Sequence, residues 1–361
     1  MTHRRSIATI AAAALALTTA ACSSSSAGGG TSTPKKSVKI VMVQGVTGAP
    51  FAQITAQGAK DAASAVGGVN FSVAGPANID PSTETKIFQQ IVATKPDGIV
   101  LQELPPDLFT RLVKDAQQAG ITVLPYTIAP AAGGSATTFV GDDGLDLGRM
   151  AADRIAQELT KIKGANVSGE IVTGICVPGL SVLTQRLDGL KQEMAKKLPN
   201  VRVLDAFDSK PDPGQDFTVW QQAVAAHPNA LAMVSPCEAD NQNLVKIKKT
   251  SHAAWLLTPF DLDDQIIGGV KDGTVLAVFP QSSYVHGYAA TRLLADALKS
   301  GSKLPSGWVK MPVVPVDKAN IDEIVARQSS VDNQRSYWKS YIDKIFATSS
   351  VATLPLDQAN R

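Results

Sequence analysis

VKIVMV, residues 38–43, is an apolar, β-branched run interrupted only by Lys39, and the loop GVTGAPFA follows it. Eight more runs of this kind come later. They are NFSVAG (70–75), DGIVLQ (97–102), ITVLPY (121–126), GEIVTGI (169–175), VRVLDAF (201–207), ALAMVS (230–235), AWLLTPF (254–260) and TVLAVF (274–279). Between them apolar residues recur at helical spacing, as in Ile87, Ile91 and Val92 or Leu187, Leu190 and Met194. Continuous apolar strands alternating with helices predict parallel sheets covered on both faces, an α/β doubly wound architecture. Residues 22–361 are too many for one typical core, so two lobes joined by a hinge are expected. The N-terminal lobe would take 38–141 plus about 282–312, and the C-terminal lobe 142–281 plus about 313–346. The polar turn Gly141-Asp142-Asp143-Gly144 is the expected crossover, and 347–361 reads as a loose tail.

The first residues address compartment. Arg4 and Arg5 precede an apolar run, Ile7 to Ala21, that is too short to be a stable membrane span. Residues 1–21 therefore read as a signal peptide. The stretch Thr19-Ala20-Ala21-Cys22 resembles the lipobox of bacterial lipoproteins, with Thr19 where Leu is usual. That resemblance implies lipidation at Cys22 and a membrane anchor. SSSSAGGGTSTPKK, which follows Cys22, is too polar and small to bury apolar surface, so 22–37 reads as a flexible tether.

Charge excludes one class of partner. The chain holds 34 Lys+Arg against 32 Asp+Glu, and the leader contributes two Arg and no acid, so the mature body is neutral. Without a basic face, nucleic acid is not an expected partner. The four His residues are scattered and no CxxC occurs, so neither a metal nor another cofactor is expected. With Cys22 lipidated, Cys176 and Cys237 remain, either bridged outside the cytoplasm or buried as two separate thiols.

Ligands of open α/β sheets bind beyond the carboxyl ends of strands, where neighbouring loops meet. The residues after each run are an assortment of aromatics, planar hydrogen-bonding side chains and one Arg: Phe51, Tyr126-Thr127, the 176–186 loop, Cys237-Glu238, Phe260-Asp261 and Gln281. They contain no nucleophile with a base and an orienting group. The mixture suits a neutral sugar or sugar alcohol. Its C–H faces pack on rings, and its vicinal hydroxyls engage planar groups such as Asp, Gln and Arg two at a time. Arg186 and Asp261 have opposite signs and would leave the pocket near neutral.

Across about 38–330 the chain resembles the type I periplasmic-binding proteins of the ribose-binding group. The resemblance is carried by APFAQITAQGAKDAA (49–63), PDGIVLQ (96–102), VGDDGLDLGRMAADRIA (140–156), SVLTQRLDGL (181–190), TPFDLDD (258–264) and KDGTVLAVFPQ (271–281). It implies a monomer that closes two hinged lobes over one sugar and delivers it to the permease subunits of an ABC importer. It also implies roles: Phe51 as the stacking aromatic, Arg186 as a hydroxyl-binding cation, Asp261 as the carboxylate and Gln281 as the amide. Two positions depart from ribose binders. Tyr126-Thr127 stands where an Asp-Arg pair is frequent, and Cys237-Glu238 where Asn-Asp is.

Each candidate has a plainer reading. Phe51 could be core, Tyr126 could cap a strand, and Arg186 could pair with Asp188 on the surface. Asp261 could be a helix N-cap. Glu238, Gln44 and Trp220 complete the candidate set, although a single Trp on the helix DFTVWQQAV is usually packed. His252 and His286 have no positioned partner for catalysis. Ser181 lies outside a GxSxG elbow, and GxGxxG is absent. Two rival functions keep some of these residues: a sugar-sensing receptor of the same fold, and a surface hydrolase with Glu238 and Asp261 as acid and base.

Overall fold

Parallel strands buried on both faces organise the chain. The computed structural model describes residues 37–348 and 350–360; Arg4, Arg5, Cys22 and nearly all of the expected leader and tether lie outside the described residues. The N-terminal lobe begins with β1 (Val38–Val43), α1 (Pro50–Val66), β2 (Val69–Ala74) and α2 (Pro81–Ala93). It continues with β3 (Gly98–Leu101), α3 (Pro106–Gln118), β4 (Thr122–Pro125) and β5 (Thr138–Gly141). Four strands form a parallel sheet in the order β2-β1-β3-β4, and a bridge from Tyr126 to Val140 carries it on to β5. Because side chains alternate along a strand, Val41 and Val43 pack with Phe88 and Phe109 on one face, while Ile40 and Met42 enter the core on the other.

The second lobe repeats the pattern. It runs through α4 (Gly144–Lys163), β6 (Gly169–Ile175), α5 (Ser181–Lys197), β7 (Val201–Val203) and β8 (Phe207–Asp208). Then come α6 (Pro213–Ala226), β9 (Ala232–Val234), α7 (Glu238–Ser251), β10 (Leu256–Leu257) and α8 (Asp264–Asp272). Its parallel sheet has the order β10-β9-β6-β7, with β8 also on β6. VRVLDAF therefore yields two short strands rather than one. TVLAVF forms no named strand: its Leu276 and Phe279 N–H groups donate to Leu257 and Pro259 carbonyls at 2.9 Å, and Val278 bridges to Val316. The run is shared between the sheet edge and the hinge.

The remaining elements are α9 (Ser283–Ser300), β11 (Gly307–Lys310), α10 (Ile321–Gln328), α11 (Val331–Ile345) and a 3-10 segment, Leu356–Asn360. β11 pairs with β5, and α9 joins α1 in the N-terminal core. The chain thus crosses between lobes at Gly141–Gly144, near Val278–Ser282 and near Met311–Val316.

Two boundaries differ from the sequence expectation. α10 does join the second lobe, through Ile321 and Ile324, but α11 packs its Trp338 and Ile342 into the first. An ion pair from Arg335 to Asp61 of α1, at 2.6 Å, reinforces that side. The tail is not loose either. Leu354 pairs with Trp308, Ala359 is buried beside Phe139 and Trp308, and the Ala359 carbonyl accepts a 2.8 Å hydrogen bond from Gln185 Nε2 of α5. A stretch with no hydrophobic periodicity is held here by an edge pairing and a few apolar anchors, which periodicity cannot reveal.

Sharp helix starts set the loops beside the cleft. Asp80, Asp143 and Asp263 each accept a backbone N–H three residues on, and Asp212 caps α6 ahead of Pro213. Each lobe also contains a helix pair packed backbone to backbone. A Cβ on Gly58 of α1 would stand 2.0 Å from the Tyr284 carbonyl of α9, and one on Gly148 of α4 would stand 1.9 Å from that of Arg186 on α5. Only glycine permits that approach.

Candidate ligand site

A cavity of about 890 Å³, counted out to its mouth, lies between the lobes at the carboxyl ends of the strands. Phe51, Thr127, Arg186, Glu238, Asp261 and Gln281 all line it. Six residues chosen from five separate loops and the hinge therefore meet on one cavity.

Arg186 projects from the second turn of α5 and is almost fully buried. Its Nη1 donates to the Pro236 carbonyl at 3.0 Å, and its guanidinium lies 5.4 Å from the centre of the Phe260 ring. Its Nε is buried without a partner. Burial lowers the guanidinium pKa, opposed by Asp261 and Asp142. Burial likewise raises the Asp261 carboxyl to about 6 despite the nearby Arg186, and Gln281 Nε2 lies 3.4 Å from its Oδ1. Glu238, the first residue of α7, is pushed up to about 8 by burial and by the charges of Asp261 and Asp263, and its Oε1 has no partner. Unpartnered buried polar atoms cost free energy, and a ligand that pairs them recovers it.

The plainer reading of Asp261 does not hold, because the N-cap of α8 is Asp263. Asp188 is likewise not the partner of Arg186, whose guanidinium turns inward instead.

Cys176 and Cys237 form a disulfide with Cα atoms 6.1 Å apart. It ties the loop after β6 to the start of α7, so two parts of the second-lobe wall are covalently joined. These cysteines with Asp240 are the single metal-spaced cluster among the described residues, and both sulfurs are spent in the bridge.

Three expected residues stand elsewhere. Trp220 is fully buried, packed against Phe207 with ring centres 4.8 Å apart and facing Gly174 in the second-lobe core. Its place beneath the sheet rules out ligand contact, so the packing reading is the correct one. Tyr126 is also buried, in the first-lobe core, because the strand end points it away from the cavity. Gln44 lies under the wall with its amide donating to the Ala52 carbonyl at 2.8 Å, where it orients the start of α1 rather than lining the cavity. His286 belongs to the hinge. Its Nδ1 is 2.7 Å from the Thr127 hydroxyl, and its Nε2 is 2.9 Å from Asp142 Oδ1. His252 is the exposed left-handed C-cap of α7.

Gln102 lines the cavity and was missed, although it directly follows DGIVLQ's apolar core as the other candidates follow their strands. Leu104, Ile128, Leu180 and Leu183 were missed for a better reason: an apolar wall residue looks like any core residue in sequence.

With two doubly wound lobes, three crossings and a cavity between them, the fold is that of a type I binding protein. The periplasmic binding protein domain model matches residues 40–303, and the chain belongs to that family. No curated protein sequence matches it significantly. Among solved structures, it resembles a carbohydrate transporter solute-binding protein from Agrobacterium radiobacter in complex with D-arabinose. That pair shares 21% identity with a TM-score of 0.73, over 84% of this chain and 98% of the other. A solute-binding protein of an ABC transporter from Burkholderia graminis, also with D-arabinose, gives 22%, 0.72, 80% and 98%. A glucose-galactose binding protein from Geobacillus stearothermophilus gives 20%, 0.70, 79% and 99%. None of the described helices is long and apolar enough to cross a membrane.

Proposed function

We propose that this chain is the extracytoplasmic binding component of an ABC importer, capturing a small, neutral, hydroxyl-bearing molecule between its lobes. The observation that carries this reading is the convergence of Arg186, Glu238, Asp261, Gln281 and Phe51 on one inter-lobe cavity, with buried donor and acceptor atoms left open. Contacts made to both lobes favour the closed arrangement, and a permease can recognise that difference. The sugars bound by the structural relatives support a carbohydrate ligand. The sequence at Thr19–Cys22 supports a lipid anchor, and a Cys22→Ala variant recovered from the medium instead of the membrane fraction would bear it out.

Calorimetry of the purified chain against pentoses, hexoses and alditols tests the reading. One unchanged ligand is expected per chain. Arg186→Ala is expected to weaken binding about 10- to 100-fold, the effect of losing hydrogen bonds from a buried charged group. Turnover of the sugar would instead favour a hydrolase using Glu238 and Asp261. Stabilisation by amino acids or metal ions with every polyol silent would overturn the carbohydrate assignment.

A further inference from the structure

The two walls of the cavity differ in what they leave for a ligand. On the second lobe Arg186 Nε and Glu238 Oε1 are buried without partners, and the Asp261 carboxyl faces the same space. On the first lobe most of the polar capacity at the cavity is already used, the Gln102 amide nitrogen excepted. Thr127 shares its hydroxyl with His286 at 2.7 Å, and the Gln102 carbonyl accepts the Gly45 N–H at 3.1 Å. The rest of that wall near the cavity is Val46, Ala49, Ile79, Leu104 and Ile128 with Phe51.

Leu104 and Ile128 moreover belong to one apolar cluster with Leu180, Leu183 and Cys237 of the opposite lobe. Apolar surface therefore continues across the cleft, beside the polar group. A sugar with hydroxyls on every edge would press several of them against this region, where they would lose water and find no partner. A molecule with an apolar end would fill it at no such cost and gain by burial.

We propose that the ligand is amphiphilic: a hydroxylated head held by Arg186, Glu238, Asp261 and Gln281, and an apolar substituent lodged among Leu104, Ile128, Leu180 and Leu183. This rests on the binding function proposed above and narrows its substrate class to glycosides or polyol ethers with an alkyl or aryl end. Such a compound is what partial breakdown of a larger glycosylated lipid or aromatic glycoside would supply.

The test compares matched pairs by calorimetry on the mature chain: D-glucose, D-galactose, D-xylose and D-arabinose, each beside its hexyl glycoside, with hexanol alone as a control. In at least one pair the hexyl member is expected to bind tenfold or more tighter than the free sugar, with hexanol silent. Leu183→Gln is expected to bring that pair within threefold, and a preference for the hexyl member that survives this change would overturn the placement of the apolar end. Free sugars that bind as tightly as their hexyl glycosides in every pair would overturn the inference and leave the sugar-binding function intact. Binding of amino acids with all carbohydrates silent would overturn both, and silence of every probe would overturn the inference.

Discussion

The two lobes share an architecture and divide the work. Each has a parallel sheet, and each has a helix pair pinned through glycine, α1 with α9 and α4 with α5. The second lobe supplies the free polar atoms of the cavity and clamps two of its loops with a disulfide. The first supplies an aromatic ring, an apolar wall and hydrogen-bonding groups mostly in use, the Gln102 amide nitrogen excepted. A repeated scaffold thus leaves recognition to one half and the covering surface to the other, so damage to each should register differently.

The largest expected effect is on the clamp. Replacing Cys176 and Cys237 together by Ser removes a cross-link spanning 61 residues, worth about 4 kcal/mol in the loop-closure model. Denaturant titration should show that loss, and retention of full stability would mean the bridge does not form. Next is Gly148→Ala, which sets a methyl against the Arg186 carbonyl and should cost about 1–3 kcal/mol. Because α5 carries Arg186, this variant should also weaken binding. Gly58→Ala, its counterpart on the first lobe, should lower stability with less effect on affinity. Equal losses of affinity would erase the distinction between the lobes.

The smallest effect is a change of slope with pH. Both lobes bury carboxyl groups: Glu84 is raised to about 9 by burial and the neighbouring Glu103, and Asp216 to about 8 by burial and Asp240. A carboxyl whose folded pKa is raised favours the native state in its protonated form. Stability from Glu84 is complete below its unfolded value near 4.5, declines as pH rises above that, and is gone once pH has passed about 9. Glu84→Gln should flatten the fall in melting temperature between pH 5 and 9, and Asp216→Asn should do so over a narrower range. Melting curves of unchanged slope in both variants would show that neither carboxyl is neutral in the fold.

Much of this was legible in the sequence because it rests on pattern. The run at 38–43 and its successors announced the sheets, and the segments that follow those runs pointed to Phe51, Thr127, Glu238, Asp261 and Gln281 as cavity neighbours. Arg186 was legible through its motif. The same reasoning applied to Tyr126 misplaced it, because aromatic side chains serve a core and a ligand equally well and only the direction of the side chain separates the two uses. Trp220, on its helix, is packed as such a Trp usually is. The α11 and tail assignments failed for a related reason: α11 presents an apolar stripe but no sign of which lobe it will cover. The apolar wall of the cleft left no signal at all.

The last residues carry one consequence of their own. The segment around Ala359 is fastened to the first lobe beside Trp308, yet its carbonyl holds Gln185 on the second. Parting the lobes has to break that bond, so the chain's own terminus biases the empty protein towards closure. Apparent affinity varies with the fraction of molecules already competent to bind. Trimming or tagging the terminus therefore tunes capture from a distance, with the cavity itself untouched.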